Sequence, residues 1–486
     1  MRDGANDAGP GAAEDGRGRS LPLLSVALIA VMALELMHLF SGIGAARQAA
    51  HGAMILATVA AIPRLGLREA YLLALSGVLV WLVLTGSDAP GEILRIALDQ
   101  AVFLMSFILC LSLVQEAAMT SGSVARLGLY LSRQPGGRRF LGLYGGTNLM
   151  TVVFNLGTMS LLAPLIRRSA EAAKDDPLTP VRERRQLSAV LRGFAWSVVW
   201  SPTAVAPLAM MSLMEGIDRA RWIAIGFCLS LVMMAVGWAE DKVTWRRYTA
   251  AAQGTAPIAP QPLPVAALVR FLTVCGIFGG LSVAVMLFGG LGLPPGLMAA
   301  APVLLVGWLW VQSAGQGPGD SGGRLAITAR RIREIAGQSL PLSAPAAVTL
   351  ACSGFIGRAG AALIPAEEWA AAIGLNDMPA WLFLFGTTVA VTALSQLALS
   401  PIMMAVFFGA VLGALPSLPA DPTLTALAIA VGWATSTTFS PFASGVILLT
   451  RVTGHPGTRL TYVWNGVFTA LSFAVLFVVF RLLAET

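Results

Sequence analysis

Charge is what this chain has least of. Asp, Glu, Lys and Arg make up 12% of its 486 residues while 56% are hydrophobic; a soluble domain carries roughly twice that share of charge. A soluble globule cannot hide so much apolar surface behind so few charges, and that class is excluded. The three His and four Cys are scattered. Cys110, Cys228, Cys275 and Cys352 each lie inside an apolar stretch and no CxxC pair occurs, so neither a disulfide framework nor a zinc cluster is supported. No glycine-rich nucleotide-binding loop is found, which argues against ATP-driven pumping by this chain. A net charge of +7 would suggest nucleic acid in a soluble protein; in a chain this apolar, what matters is which loops hold the Lys and Arg.

What is present is a series of long apolar blocks. Residues 21–40, 45–62, 71–85, 98–118, 188–214, 222–239, 264–287, 297–311, 338–363, 423–450 and 461–483 have lengths suited to a bilayer, which predicts an all-α polytopic membrane protein with about eleven crossings. Residues 1–20 hold almost nothing to bury and are predicted to be a disordered cytoplasmic tail. Two further blocks, 140–166 and 381–415, are interrupted by Gly, Asn, Gln or Ser-Pro and are too long for one comfortable span, so each is predicted to fold back as a re-entrant hairpin. With the N-terminus in the cytoplasm and both hairpins returning to their own side, Arg64, Arg68, Arg126, Arg133, Arg138, Arg139, Arg167, Arg168, Lys242, Arg330, Arg331 and Arg451 fall inside, and acidic Asp88, Glu92, Asp377 and Asp421 fall outside. That sorting is the pattern of a bacterial cytoplasmic membrane protein. The basic stretch Arg167 to Arg192 reads as a topology determinant, with anionic lipid contact as a secondary role.

The two halves repeat one another at an offset near 240 residues. Ser197-Val198-Val199-Trp200-Ser201-Pro202 matches Ser436-Thr437-Thr438-Phe439-Ser440-Pro441; Cys110 with Glu116 matches Cys352 with Arg358; Asn155 has a counterpart near Gln396. The assigned topology makes the two Ser-Pro spans run in opposite directions, an inverted repeat of the kind common in secondary transporters. The predicted organisation is N-terminal helices over 21–97, and a first repeat over 98–262 with hairpin 138–167 and broken helix 188–214. Connecting helices over 263–337 follow, then a second repeat over 338–486 with hairpin 381–415 and broken helix 423–450. Proline inside a span frees a carbonyl and breaks the helix at bilayer depth. Half-helix N-termini, freed carbonyls and hydroxyls could then bind a solute where four such breaks converge.

Phe154-Asn155-Leu156-Gly157-Thr158-Met159-Ser160 with Pro164 resembles the first hairpin of the divalent anion/sodium symporters. The stretch from Phe103 to Arg133, and the order span, hairpin, broken span, are similar too. The resemblance, which also extends to the wider ion transporter superfamily, covers most of the chain from Leu98 onward. It implies an elevator-type, homodimeric carrier of a small anionic solute coupled to Na+ or H+. Carried over residue by residue, it places Asn155 and Thr158 in the first tip, Ser201, Pro202 and Thr203 in the first broken span, Ser395 and Gln396 in the second tip, and Ser440, Pro441 and Ser444 in the second broken span. This sequence departs from the family where Phe154, Leu156 and Ser395-Gln396-Leu397 stand, which weakens the case for bound sodium and keeps proton coupling open. No other cofactor is implied.

Beyond the repeat core, Glu35 and His38 lie three residues apart on the first span and could carry protons or form a structural pair near its outer end. Glu116 and Arg358 occupy equivalent repeat positions with opposite charge; they could pair, contact an anion, gate, or snorkel. Trp196, Trp200, Trp433 and Phe439 flank the proposed site and either shape it or pack. The leading functional reading is a secondary active transporter of an organic or inorganic anion, surrounded by membrane lipid. An ion or metalloid antiporter on the same scaffold is the nearest alternative, and a lipid-processing enzyme lacks a clustered acid/base pair.

Overall fold

The computed structural model describes residues 21–135, 138–248, 262–313, 323–397, 399 and 401–485, which are helical with no strand. The predicted tail, residues 1–20, lies outside the described residues. The first half contains α1 (Leu23–Ser41), α2 (Gly44–Ala61), α3 (Leu67–Gly86), α4 (Pro90–Met119), α5 (Gly122–Ser132), α6 (Arg139–Phe154), α7 (Gly157–Ala172), α8 (Thr179–Ser197), α9 (Val205–Leu213) and α10 (Arg219–Thr244). The second contains α11 (Val265–Gly289), α12 (Leu293–Ser313), α13 (Arg324–Glu334), α14 (Ala344–Ala362), α15 (Ala366–Ala372), α16 (Ala380–Leu394), α17 (Pro401–Gly413), α18 (Pro422–Phe439), α19 (Ser444–Thr453) and α20 (Trp464–Ala484). Among the described residues eight helices are long and apolar enough to cross a bilayer, and residues 324–342 joined to α14 with a 55° bend make a ninth. The chain is an integral, multi-pass membrane protein. Residues 380–397, counted among the eight, form a hairpin arm, while α2 and the broken rods α8–α9 and α18–α19, read as crossings from the sequence, fall outside that count.

Both interrupted blocks are helical hairpins. At the first, Arg139 at the start of α6 and Ala170 and Ala173 at the end of α7 line one cavity, so the chain leaves where it came in. At the second, α16 runs parallel to α18, because Thr388 Oγ1 donates to Ala428 O (2.9 Å) and Thr392 Oγ1 to Gly432 O (3.3 Å). The start of α16 is therefore level with the start of α18. The end of α17 returns to that level: Gly413 lies against Leu213 and Met214, and the segment that follows them donates from Asp218 N to Thr423 Oγ1 at the start of α18 (3.0 Å).

The broken rods α8–α9 and α18–α19 lie antiparallel. The end of α9 meets the start of α18 through that same Asp218 bond. His455, just past α19, comes within 3.5 Å of Glu183 at the start of α8. The repeat is thus inverted, and glycines show how closely its halves match. A Cβ on Gly193 would meet Tyr144 O at 2.5 Å and Thr147 Cβ at 3.1 Å; a Cβ on Gly432 would meet Val391 Cβ at 2.6 Å and Thr388 O at 3.1 Å. Each broken rod uses one glycine to let a hairpin arm reach its backbone. The offset between the two glycines is the same as between Ser201 and Ser440, whereas their hairpin contacts are offset by five residues more. The arm register therefore sets Asn155 opposite Leu399, three residues beyond the predicted counterpart Gln396.

The supposed basic loop from Arg167 to Arg192 is only partly a loop. Its second half is α8, and two of its cations are held inside the helical bundle. Arg185 donates to both oxygens of Asp241 (2.9 and 2.7 Å). Arg192, 2% exposed, donates to Glu240 Oε2 (2.8 Å) and Asn465 Oδ1 (2.7 Å) and lies 4.2 Å from the Phe468 ring centroid. A charge count along the sequence cannot distinguish such buried cations from solvated ones, because their partners lie about 50 residues or more away.

Two outcomes test this packing in the purified chain by thermal unfolding. Gly193→Ala and Gly432→Ala are expected to cost about 1–3 kcal/mol each, since neither the Tyr144 carbonyl oxygen nor the Cβ of Val391 can yield as the far end of a flexible side chain does. Gly276→Ala, whose Cβ would meet nothing within 4 Å, should be neutral. Arg192→Met is expected to cost about 3–5 kcal/mol by leaving Glu240 buried and unpaired, and adding Glu240→Gln should recover part of the loss.

Candidate functional site

The four interruptions meet. A cavity of about 80 Å³ is lined by Thr151, Asn155 and Leu156 of the first hairpin, Phe194, Val198, Ala204 and Val205 of the first broken rod, Pro401 and Ile402 of the second hairpin, and Trp433, Thr437, Ser444 and Gly445 of the second broken rod. Ile108 of α4 and Thr349 and Leu350 of α14 close it. Much of this lining falls into repeat-related pairs: Phe194 with Trp433, Val198 with Thr437, Val205 with Ser444, and Ile108 with Leu350. The cavity therefore sits on the pseudo-two-fold axis relating the halves. Helices α4 and α14 cross antiparallel there, since Gly354 abuts Gln100 and Leu104 while Leu350 is level with Ile108.

Local backbone explains why the breaks occur where they do. Asn155 caps α6 at φ +45°, ψ −126°, the one non-glycine residue with positive φ among the described residues. This conformation favours glycine and costs an L-residue about 1–3 kcal/mol, a strain that concentrates at functional positions. With Leu156 at φ −58° it makes a tight reversal that lets Thr158 N donate back to Asn155 O (3.2 Å). In the first rod α8 ends at Ser197, and residues 198–204 are irregular around Pro202 before α9 begins. In the second, α18 ends at Phe439 and α19 starts at Ser444 after Pro441. Proline in each break cannot donate, which removes a helix hydrogen bond at the point where the rod is interrupted.

The predicted site residues divide into two groups. Asn155 and Ser444 line the cavity. Most of the others hold the tips in place. Thr203 Oγ1 donates to Val152 O on the first hairpin and lies 3.0 Å from Ser201 Oγ. Ser440 Oγ donates to Ser395 O on the second hairpin (2.8 Å). Gln396 Nε2 donates to Thr392 O (3.1 Å) while its Oε1 accepts from Tyr462 (3.0 Å), so its amide is committed to structure. Thr158 is buried behind the first tip with no partner for Oγ1 among the described residues; Pro202 and Pro441 shape the breaks. Thr151, Thr349 and Thr437 were not singled out in the sequence. The 239-residue offset could have led from Ser197-Pro202 to Thr437 through Val198, but hydroxyls on helix faces in an apolar run carry no motif.

The remaining candidates lie elsewhere. Glu116 is near the end of α4 where Thr120 accepts from Arg331 (2.7 Å), whereas Arg358 is level with Gln100, about 24 Å away at 1.5 Å per residue; the two do not pair. Glu35 is buried on α1, both its oxygens without partners among the described residues. His38 Nε2 lies 2.6 Å from Arg47 Nη1 and its Nδ1 lies 3.1 Å from Ile43 O. Arg47 and His51 both reach Asp99 (2.5 and 2.9 Å). This polar cluster ties α1, α2 and α4 together and has no residue in the cavity. Of the aromatic candidates, Trp433 lines the cavity. Trp200 donates to Asn148 Oδ1 (2.9 Å), Phe439 packs edge-on to Tyr462, and Trp196 is buried in packing.

Chemically, the cavity has hydroxyl and amide groups but no charged side chain. It has instead helix ends: Leu156 and Ala204 cap α7 and α9, and Pro401 and Ser444 begin α17 and α19. Four N-termini, each bearing about half a positive charge, begin beside this volume, and the C-terminal caps of α6 (Asn155) and α8 (Val198) line it as well.

No protein-family model matches the chain, and no curated protein sequence does either. Among solved structures, the crystal structure of the Alcanivorax borkumensis YdaH transporter, described as having an unusual topology, is similar with a TM-score of 0.52 over 85% of this chain and 98% of that one, at 16% sequence identity. At that identity the likeness is one of fold: this chain is folded like a membrane transporter.

Proposed function

We propose that this protein is a secondary active transporter of a small anionic solute, bound in the cavity on the pseudo-two-fold axis. The observation that carries the reading is the meeting of four half-helix N-termini around a volume free of fixed charge, an arrangement that attracts an anion yet lets it leave. A volume of about 80 Å³ is roughly that of two or three waters. It suits a carboxylate or small oxyanion with a short apolar flank against Phe194 and Trp433. The fold shared with the YdaH transporter supports transport over membrane-embedded catalysis.

The finer reading follows the resemblance to the divalent anion/sodium symporters. The two hairpins are re-entrant, the first opening to the cytoplasm; the hairpins and broken rods move as one body against the α4–α14 pair, in an elevator-type homodimer. Coupling is to Na+ or H+, the N-terminus is cytoplasmic, and the membrane is the bacterial cytoplasmic one.

Purified protein screened by thermal shift against acetate, benzoate, succinate and phosphate, with and without sodium and across pH, should show stabilisation by at least one organic acid. The same acid should show counterflow in proteoliposomes. Asn155→Gly should keep the unfolding temperature while reducing flux at least tenfold, since glycine takes the positive φ at no strain but lacks the amide. Asn155→Val should lower both. Ser444→Ala should weaken apparent affinity about tenfold, the loss of one charge-assisted hydrogen bond. Unchanged flux in Asn155→Gly and Ser444→Ala would refute the cavity as the solute site.

A further inference from the structure

A second cavity, of about 290 Å³, lies at the mouth of the first hairpin. Its walls are the end of α5 (Ser132, Arg133), the start of α6 (Arg139), the end of α7 (Ser169, Ala173) and the start of α8 (Thr179, Arg182, Glu183, Gln186). It is far from the axial cavity along the hairpin, since α6 is 16 residues long and rises about 24 Å between them.

Most of its charges are already matched. Arg182 donates to Asp176 Oδ2 (2.5 Å). Glu183 accepts from Arg167 (3.3 Å) and lies 3.5 Å from His455 Nε2. Close by, Arg185 is neutralised by its two bonds to Asp241. What is left over is positive. Arg133 and Arg139 have no carboxylate partner among the described residues. Among the described residues Arg139 makes one side-chain bond, from Nε to Gln134 O (2.9 Å), which orients the guanidinium and leaves Nη1 and Nη2 with no partner there. The hydroxyl of Ser169 adds a donor, and Gln186, whose Nε2 is spent on Ser132 O (3.0 Å), holds the wall.

The cavity thus presents two guanidinium groups that have no carboxylate partner among the described residues. We propose that this cavity binds a phosphate group, received by the Arg139 fork and the Arg133 guanidinium. A tetrahedral dianion offers more acceptors than a carboxylate and matches both planar forks. Occupied, the site joins both ends of the first hairpin to α5 and α8, so the bound group stiffens the hairpin base. Free inorganic phosphate presents this group in full, and the phosphodiester of an anionic phospholipid headgroup, a monoanion, presents its two non-bridging oxygens to the same forks.

The full-length protein in neutral detergent should be titrated with inorganic phosphate against chloride at equal ionic strength, reading the unfolding temperature. In parallel, protein taken from phosphatidylglycerol and from phosphatidylcholine nanodiscs should be weighed by native mass spectrometry. Phosphate-dependent stabilisation that weakens at least tenfold in apparent affinity in Arg139→Gln and in Arg133→Gln supports a free-phosphate site. Retention of phosphatidylglycerol, but not phosphatidylcholine, that is lost in both variants supports a headgroup site. Arg133 is exposed, so Arg133→Gln should fold even if Arg139→Gln does not. Arg126→Gln, outside this cavity, should behave as wild type. Absence of both responses in the wild type, or equal responses in wild type and Arg133→Gln, would overturn the proposal. Neither readout depends on transport, so it stands or falls separately from the function proposed above.

Discussion

Backbone polar groups in hydrocarbon must find partners, and this fold is organised by that requirement. A chain that breaks its helices at membrane depth exposes N–H and C=O groups that lipid cannot satisfy, at a cost of several kcal/mol each. Here each break is placed against another: Ser440 reaches the carbonyl of Ser395, Thr203 that of Val152. The remaining free ends face a common cavity. Were the breaks dispersed, each would have to be satisfied separately; gathered on one axis, they share a single polar pocket.

The close approach needed for this comes from glycine and from small hydroxyl residues. Gly193 and Gly432 bring rod and arm to backbone contact, Gly354 brings α4 to α14, and Thr388, Thr392 and Thr435 bridge α16 and α18. Such side chains give helices a driving force that lipid, as apolar as leucine, does not provide. The buried pairs Arg192–Glu240 and Arg185–Asp241 tie α8 to α10 in the same way, fixing the first rod against its neighbours.

Much of this was legible in the chain. Apolar block lengths gave the helices, Ser-Pro marked both breaks, and interruption by Asn and Gly marked the first hairpin. The inverted relation followed from an offset and a charge pattern. Side-chain roles were far less legible. Ser440 sits beside a break, and its hydroxyl serves the backbone of the opposing hairpin at Ser395, while Ser201 meets the Thr203 hydroxyl and Gln396 meets Tyr462; such contacts are not legible from adjacency to a break. Register was misjudged by three residues at Gln396 because the hairpin and the rod drift at different rates along the chain. The separation of Glu116 from Arg358 could not be foreseen either: inversion carries equivalent positions to opposite ends of a crossing pair, so equivalence in sequence means distance in space.

The pairs that line the axial cavity also differ in chemistry. Phe194 is the repeat counterpart of Trp433, Val198 of Thr437 and Val205 of Ser444, so along the broken rods one half carries hydrocarbon where the other carries hydroxyls or an indole. Along the rods the polar groups belong to the later half, whereas at the hairpins Thr151 and Asn155 of the earlier half supply them against Pro401 and Ile402, so one symmetric frame is clothed in complementary chemistry from its two sides.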